Sequence, residues 1–281
     1  MTKLYNEATL PKLPVVENED IKDVHTPYLE HIEYRCALVA DAVYRAEELP
    51  HYGLRLATEQ QKSEILGKPE SELTDLSDSM REQFYYDERS KQFILAFAGT
   101  EPTNPVHWIQ NISQFAGLPS EYYQQAVDIV QAIKPEYQNK VVLTGHSLGG
   151  GIATVAAIAG KMNAFVFNPP SLHKNTLAEF DELNVALAET NVRRFVVAGE
   201  LLDVVNHTLG ATQHRIGKKT QLYGSFSMPM SSIFGLSALF KKFIPGVGIA
   251  LGILAPLAEK SLKLHLMDEV LYGLKNYLTG K

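Results

Sequence analysis

Residues Val141 to Gly151 read Val-Val-Leu-Thr-Gly-His-Ser-Leu-Gly-Gly-Gly, and few folds can house such a run. Val141, Val142 and Leu143 form a short apolar, β-branched stretch that suits a buried strand. Gly145 to Gly149 then fit the pattern G-x-S-x-G, a sharp turn that carries a serine at its apex. Ile152 to Gly160 is small and apolar throughout, as a helix packed against a sheet must be. Strand, turn and helix therefore follow in the order the motif needs, which a glycine-rich turn with an incidental serine would not require. A serine hydroxyl is a weak nucleophile until a base takes its proton. The turn exposes the Ser147 oxygen to base and substrate together. Gly145 and Gly149 are expected where side chains would collide in so tight a bend. The N-terminus of the following helix adds N–H groups and a positive dipole end, both of which favour an oxyanion.

On either side of this turn the chain alternates strand-like and helix-like segments. Met1 to Asp23 is polar and proline-punctuated and reads as an extended arm. Pro27 to Leu49 has apolar residues at helical spacing. Residues 51–80 read as short helices or a loop-rich cap. Gln83 to Asp87 and Gln92 to Ala98 read as paired strands around Glu88-Arg-Ser-Lys. Pro119 to Ile133 and Leu177 to Glu189 are expected to be helices, Asn163 to Asn168 and Arg194 to Ala198 strands, and His214 to Gly224 a small hairpin. Such alternation implies a mostly parallel sheet with right-handed crossovers and helices on its faces. With 281 residues, 45% of them hydrophobic, one domain spanning 1–281 with a sizeable core suffices.

The net charge of −6 and the lack of a long basic run exclude a nucleic-acid footprint. The lone Cys36 excludes an internal disulfide and a cysteine zinc cluster. It falls in a helix-like stretch, where packing is the expected role. The first residues lack the apolar core of a signal peptide. The expectation is a cytoplasmic protein, or one exported without a cleaved leader.

Gly-His-Ser-Leu-Gly-Gly resembles the elbow of the class 3 lipases, a branch of the α/β-hydrolases. Phe93-Ile-Leu-Ala-Phe-Ala-Gly-Thr100, with His107-Trp108-Ile109-Gln110-Asn111 beyond it, resembles that family's Phe-Arg-Gly-Thr/Ser strand end and its Asp-Trp-x-x-Asn segment. Ala98 replaces the usual arginine and His107 the usual aspartate, neither of which carries protons in the family. The resemblance covers roughly Glu82 to Tyr272 and implies an α/β-hydrolase fold, a serine esterase activity and no metal or organic cofactor.

Triads on this fold run serine, acid, histidine along the chain. Asp203 lies just past the strand-like Arg194-Phe-Val-Val-Ala, and Asp203-Val204-Val205 matches the family's aspartate followed by small apolar residues. Glu200 is the local rival, three residues nearer the strand. His207 is too close to Asp203 to turn back on it and on Ser147 together. His265, in Lys263-Leu-His-Leu-Met, stands where the resemblance puts the base, with His214 next in line. His146 is expected to orient the elbow. The Leu148 N–H is the first oxyanion donor by geometry, and Thr100 is the second that the resemblance implies.

Between acid and base lies an apolar stretch, residues 225–262, expected to form a lid or cap over Ser147. Its second half, Phe243 to Ala258, is uncharged, yet it is shorter than the ~20 residues of a membrane span and is broken by Pro245 and Pro256. Phe234, Leu239, Phe243, Ile249 and Leu254 are the expected acyl-chain contacts, and Lys241-Lys242 could meet lipid phosphates. The expected function is carboxylic ester hydrolysis on lipids, of lipase or phospholipase A type, at a membrane surface. Leaderless lipases of this kind include effectors delivered into rival bacteria, which would call for an immunity protein or chaperone. The alternatives are an esterase or acyltransferase for small acyl groups, and a non-catalytic binding protein on the same fold.

Overall fold

The computed structural model describes residues 27–73, 81–99, 121–200, 202–203, 213–228 and 260–281. Its strands are β1 (Leu54–Leu56), β2 (Glu82–Asp87), β3 (Gln92–Phe97), β4 (Val141–His146), β5 (Ala164–Phe167), β6 (Leu172–His173), β7 (Val192–Val197), β8 (Gln213–His214) and β9 (Lys218–Leu222). The longer helices are α1 (Ile32–Ala42), α2 (Glu59–Leu66), α3 (Glu121–Ala132), α4 (Leu148–Gly160), α5 (Glu182–Asn191) and α6 (Met267–Thr279). The extended arm and nearly all of the apolar 225–262 segment lie outside the described residues.

Seven strands form one sheet in the order β1-β2-β3-β4-β5-β7-β9. β1, β2 and β3 are antiparallel neighbours, whereas β3, β4, β5, β7 and β9 run parallel. This is the mostly parallel, helix-flanked sheet that the alternation of segments implies. A strand buried on both faces needs apolar residues at consecutive positions, and β3 supplies them. Phe93, Leu95 and Phe97 join the core beneath α3 and α4, and Ile94 and Ala96 join the opposite core, shared with α1 and α6. Cys36 sits on α1 and is fully buried in that second core.

Two local expectations give way to long-range pairing. His214 to Gly224 does not form a hairpin: β8 pairs with β6 in a separate two-stranded sheet, and β9 becomes the outer strand beside β7. β1 arises from Leu54–Leu56 pairing with Tyr85 to Asp87. Three residues carry too little periodicity to announce a strand.

Candidate active site

The elbow stands where the sequence puts it. β4 ends at His146, α4 begins at Leu148, and Ser147 between them has φ 56° and ψ −129°. A non-glycine residue at positive φ is strained and persists only where its surroundings hold it. Here the Ser147 N–H donates to Phe167 O (3.0 Å), and the Ser147 carbonyl accepts from the N–H of Gly150 (2.9 Å) and Gly151 (3.2 Å). Gly145 and Gly149 are required: a Cβ on the first would run into the Gly149 carbonyl, and one on the second into the Phe97 carbonyl. Ser147 is 1% exposed, and its hydroxyl has no hydrogen-bond partner among the described residues. Leu148 is the first residue of α4, so its N–H has no acceptor within the helix.

His265 comes to the elbow from the other end of the chain. Residues 260–265 form a helical turn just before α6. The Ser261 hydroxyl ties that turn to Gly199 O, past the end of β7 (2.7 Å). The His265 carbonyl accepts from His146 Nε2 (2.7 Å) and Asn168 Nδ2 (3.0 Å). Its ring lies 4.7 Å from the His146 ring, centroid to centroid, beside the residue that precedes Ser147.

The carboxylate that meets His265 is not the one the sequence reading favoured. His265 Nδ1 lies 2.6 Å from Glu200 Oε2, with both side chains 1% exposed. Asp203, the favoured carboxylate, instead faces β9, with its oxygens 3.3 and 3.5 Å from Lys219 Nζ. The chain turns at Gly199 (φ 80°), and the Glu200 carboxylate folds over the next turn to accept the N–H groups of Leu202 (2.8 Å) and Asp203 (2.5 Å). That leaves Glu200 inward against the imidazole and Asp203 outward toward the lysine. Burial pushes the Glu200 carboxyl well above the usual carboxylate range, with the nearby Asp203 charge adding to the rise. Burial also drives the His265 imidazole down to about 3. Both shifts have the same cause, scarcity of water around a buried pair. His146 is likewise held neutral, at about 3, by burial and then by the neighbouring imidazole.

His214 lies on β8 with an exposed side chain. His207, Thr100, Phe234, Leu239, Phe243, Ile249 and Leu254 fall outside the described residues. Two site residues escaped the sequence reading: Asn168, at the end of β5, and Tyr44, whose hydroxyl accepts from the Gly99 N–H (3.1 Å). A lone polar residue closing the apolar run Ala-Phe-Val-Phe was the available signal for Asn168. Among the described residues, no group of three or more His, Cys, Asp or Glu is placed to hold a metal.

Residues 35–242 match a phospholipase-like family described as the Tle-like phospholipase domain. The chain belongs to this family. A curated relative, the extracellular phospholipase A1 of Serratia liquefaciens, is 33% identical over 148 residues, 52% of this chain and 44% of the relative. The match thus spans less than half the length of that relative. Among solved structures, the native propeptide complex of Rhizomucor miehei lipase aligns with a TM-score of 0.41 and 12% identity, covering 78% of this chain and 79% of that one. A fungal lipase–inhibitor complex aligns with a TM-score of 0.41 and 14% identity, covering 85% and 97%. Membership in a phospholipase-like family agrees with the class 3 lipase resemblance of the elbow. No helix among the described residues is long and apolar enough to cross a membrane.

Proposed function

We propose that this family member hydrolyses carboxylic esters of lipids, in the manner of a phospholipase A or lipase, with Ser147 as nucleophile, His265 as base and Glu200 as acid. The observation that carries the reading is the buried Glu200–His265 pair delivered beside a strained serine elbow. The His265 ring lies 4.7 Å from that of His146, the residue before Ser147, and a buried, perturbed carboxylate–imidazole pair at such a bend is what a catalytic centre needs. In the first step His265 Nε2 takes the Ser147 proton as Oγ attacks the ester carbonyl. Glu200 holds Nδ1–H, fixes the tautomer and stabilises the imidazolium that forms. The carbonyl oxygen becomes an oxyanion, for which we assign the Leu148 N–H as one donor and Thr100 as the second, each worth ~3–4 kcal/mol of barrier. The imidazolium returns its proton to the leaving alcohol, and the acyl group stays on Ser147. Water, deprotonated by the same imidazole, then releases the fatty acid.

The family and the relative called extracellular phospholipase A1 support lipid as the substrate class. We assign acyl-chain contact to Phe234, Leu239, Phe243, Ile249 and Leu254, as parts of a lid over residues 225–262, and peripheral binding at a membrane surface to the same stretch. We propose a secreted, antibacterial role that would require an immunity protein or chaperone. The test compares wild type with Ser147→Ala on phospholipid vesicles and triglyceride emulsions. Fatty-acid release by wild type alone supports the reading, and equal release by both sinks the serine. Turnover of short p-nitrophenyl esters without action on long chains would favour a small-acyl esterase. A folded wild type that a fluorophosphonate leaves unlabelled at Ser147 would favour a binding protein.

A further inference from the structure

We propose that His146 and Asn168 form a two-donor clamp on the main-chain carbonyl of His265 and so set where its imidazole stands over the elbow. The clamp rests on the reading of Ser147, His265 and Glu200 given above. His146 Nε2 and Asn168 Nδ2 reach the same oxygen at 2.7 and 3.0 Å, and Asn168 also lies 3.5 Å from Leu264 O. A carbonyl oxygen has two lone pairs, so these donors satisfy it.

Each donor is fixed by its other contacts. A carbonyl only accepts, so His146 must carry its proton on Nε2. That leaves Nδ1 as the lone-pair nitrogen, 3.5 Å from the Tyr44 hydroxyl. Burial keeps the ring in that neutral form. Asn168 Oδ1 accepts the Val197 N–H at 2.9 Å, which turns the amide NH2 toward His265 and forbids the flipped assignment. Asn168 is fully buried at φ 43°, a left-handed conformation that asparagine tolerates better than most residues.

The clamp therefore stands on rigid ground. His146 ends β4, Asn168 follows β5, and the two strands are parallel neighbours with His146 in register with Phe167. His265 is the last residue of the helical turn 260–265, off the sheet, where strand pairing cannot position it. The His265 carbonyl is fixed from the sheet, and its Nδ1 is fixed by Glu200. Backbone and ring then each have an anchor, which is what a base that must meet Ser147 Oγ requires. Tyr44 extends the arrangement: its hydroxyl accepts from Gly99 and donates toward the His146 carbonyl at 3.4 Å, so the end of β3 and the elbow share one side chain. His146 and Asn168 act through His265 and are positioning residues.

Three full-length variants test this. His146→Phe keeps a flat ring without the donor. His146→Gln restores an N–H near the Nε2 position. Asn168→Asp keeps the acceptor for Val197 and loses the donor to His265. Fluorophosphonate labelling of Ser147 and kcat on a short p-nitrophenyl ester should fall roughly tenfold to a hundredfold in His146→Phe and Asn168→Asp, with KM within about twofold. His146→Gln should recover most of the loss. The ratio of Asn168→Asp to wild type should rise as pH falls, because a protonated carboxyl can donate to the His265 carbonyl again. Labelling within about twofold of wild type in folded His146→Phe and Asn168→Asp would overturn the clamp alone. So would His146→Gln as slow as His146→Phe. If His146→Phe fails to fold, Asn168→Asp and its pH ratio decide. An unlabelled wild type would overturn the catalytic reading and the clamp with it.

Discussion

Replacing Glu200 by Gln should cost this site far more than replacing Asp203 by Asn. When His265 takes the Ser147 proton, a full positive charge appears on a ring whose Nδ1 is 2.6 Å from Glu200 Oε2. With charge centres ~4 Å apart and an effective dielectric constant of ~20, the lost attraction is ~4 kcal/mol. At ~1.4 kcal/mol per decade that is about a thousandfold in kcat. Exchanging a charge-assisted hydrogen bond for a neutral one costs about another 1 kcal/mol, so the fall should lie between about 10³ and 10⁴. KM should stay near wild type, because the charge exists only beyond the ground state. Asp203 faces Lys219 at 3.3 Å, on the far side of the turn. Its neutralisation also removes a charge that raises the Glu200 carboxyl, which partly offsets any loss. Asp203→Asn should therefore cost less than about tenfold. The assay is kcat on a soluble p-nitrophenyl ester together with the rate of Ser147 labelling. It is read on material shown to be folded by urea denaturation, since an amide at position 200 also weakens the turn by about 1–3 kcal/mol. A thousandfold loss in Asp203→Asn, with Glu200→Gln within tenfold of wild type, would refute the assignment and restore the aspartate.

Gly145→Ala should lower stability by about 3 kcal/mol or more, because its Cβ would meet the Gly149 backbone, which cannot yield. Gly280→Ala, at φ 69° but with no atom within 4 Å of its Cβ, should cost only about 1 kcal/mol, and urea midpoints separate the two. Asp87→Ala strands the buried Arg35 guanidinium, 5% exposed, and should cost about 3–5 kcal/mol. Glu88→Ala breaks the exposed pair with Arg55 and should cost less than about 1 kcal/mol in the same titration. The stability of wild type relative to His146→Gln should depend on pH with a defined sign. The folded imidazole takes its proton only near pH 3, the unfolded one near 6.5, so the unfolded chain binds the extra proton between those values. Wild type should lose ground to the variant by up to about 1.4 kcal/mol per pH unit as pH falls from 6.5 toward 3. Above pH 6.5 the difference should be flat, which chemical denaturation at several pH values can check.

Strands announced themselves wherever burial on both faces demanded consecutive apolar residues, as at Phe93–Phe97, Val141–Leu143 and Ala164–Phe167. β9 did not: Lys-Lys-Thr-Gln-Leu is an outer strand with a polar face, and only β7 beside it makes it a strand. The elbow was legible because its crowding admits only glycine at two fixed spacings from the serine. Gly145 and Gly149 collide with atoms at most a few residues away or on the adjacent strand end, and any chain making this bend must solve the same crowding.

Which carboxylate meets His265 was not legible. Glu200 and Asp203 are three residues apart on one turn, with the same charge and nearly the same reach. What separates them is contributed from elsewhere: Ser261 holding Gly199, Lys219 drawing Asp203 outward, and His265 meeting Glu200 from 65 positions further on. The roles of His146 and Asn168 were hidden for the same reason, since their shared acceptor lies 119 and 97 positions away. Sequence alone determined the bend and its serine, because crowding at the bend leaves glycine no substitute at 145 and 149. Only the folded chain decided which carboxylate and which amide face the imidazole, because hydrogen bonds reach about 3 Å through space and take no account of distance along the chain.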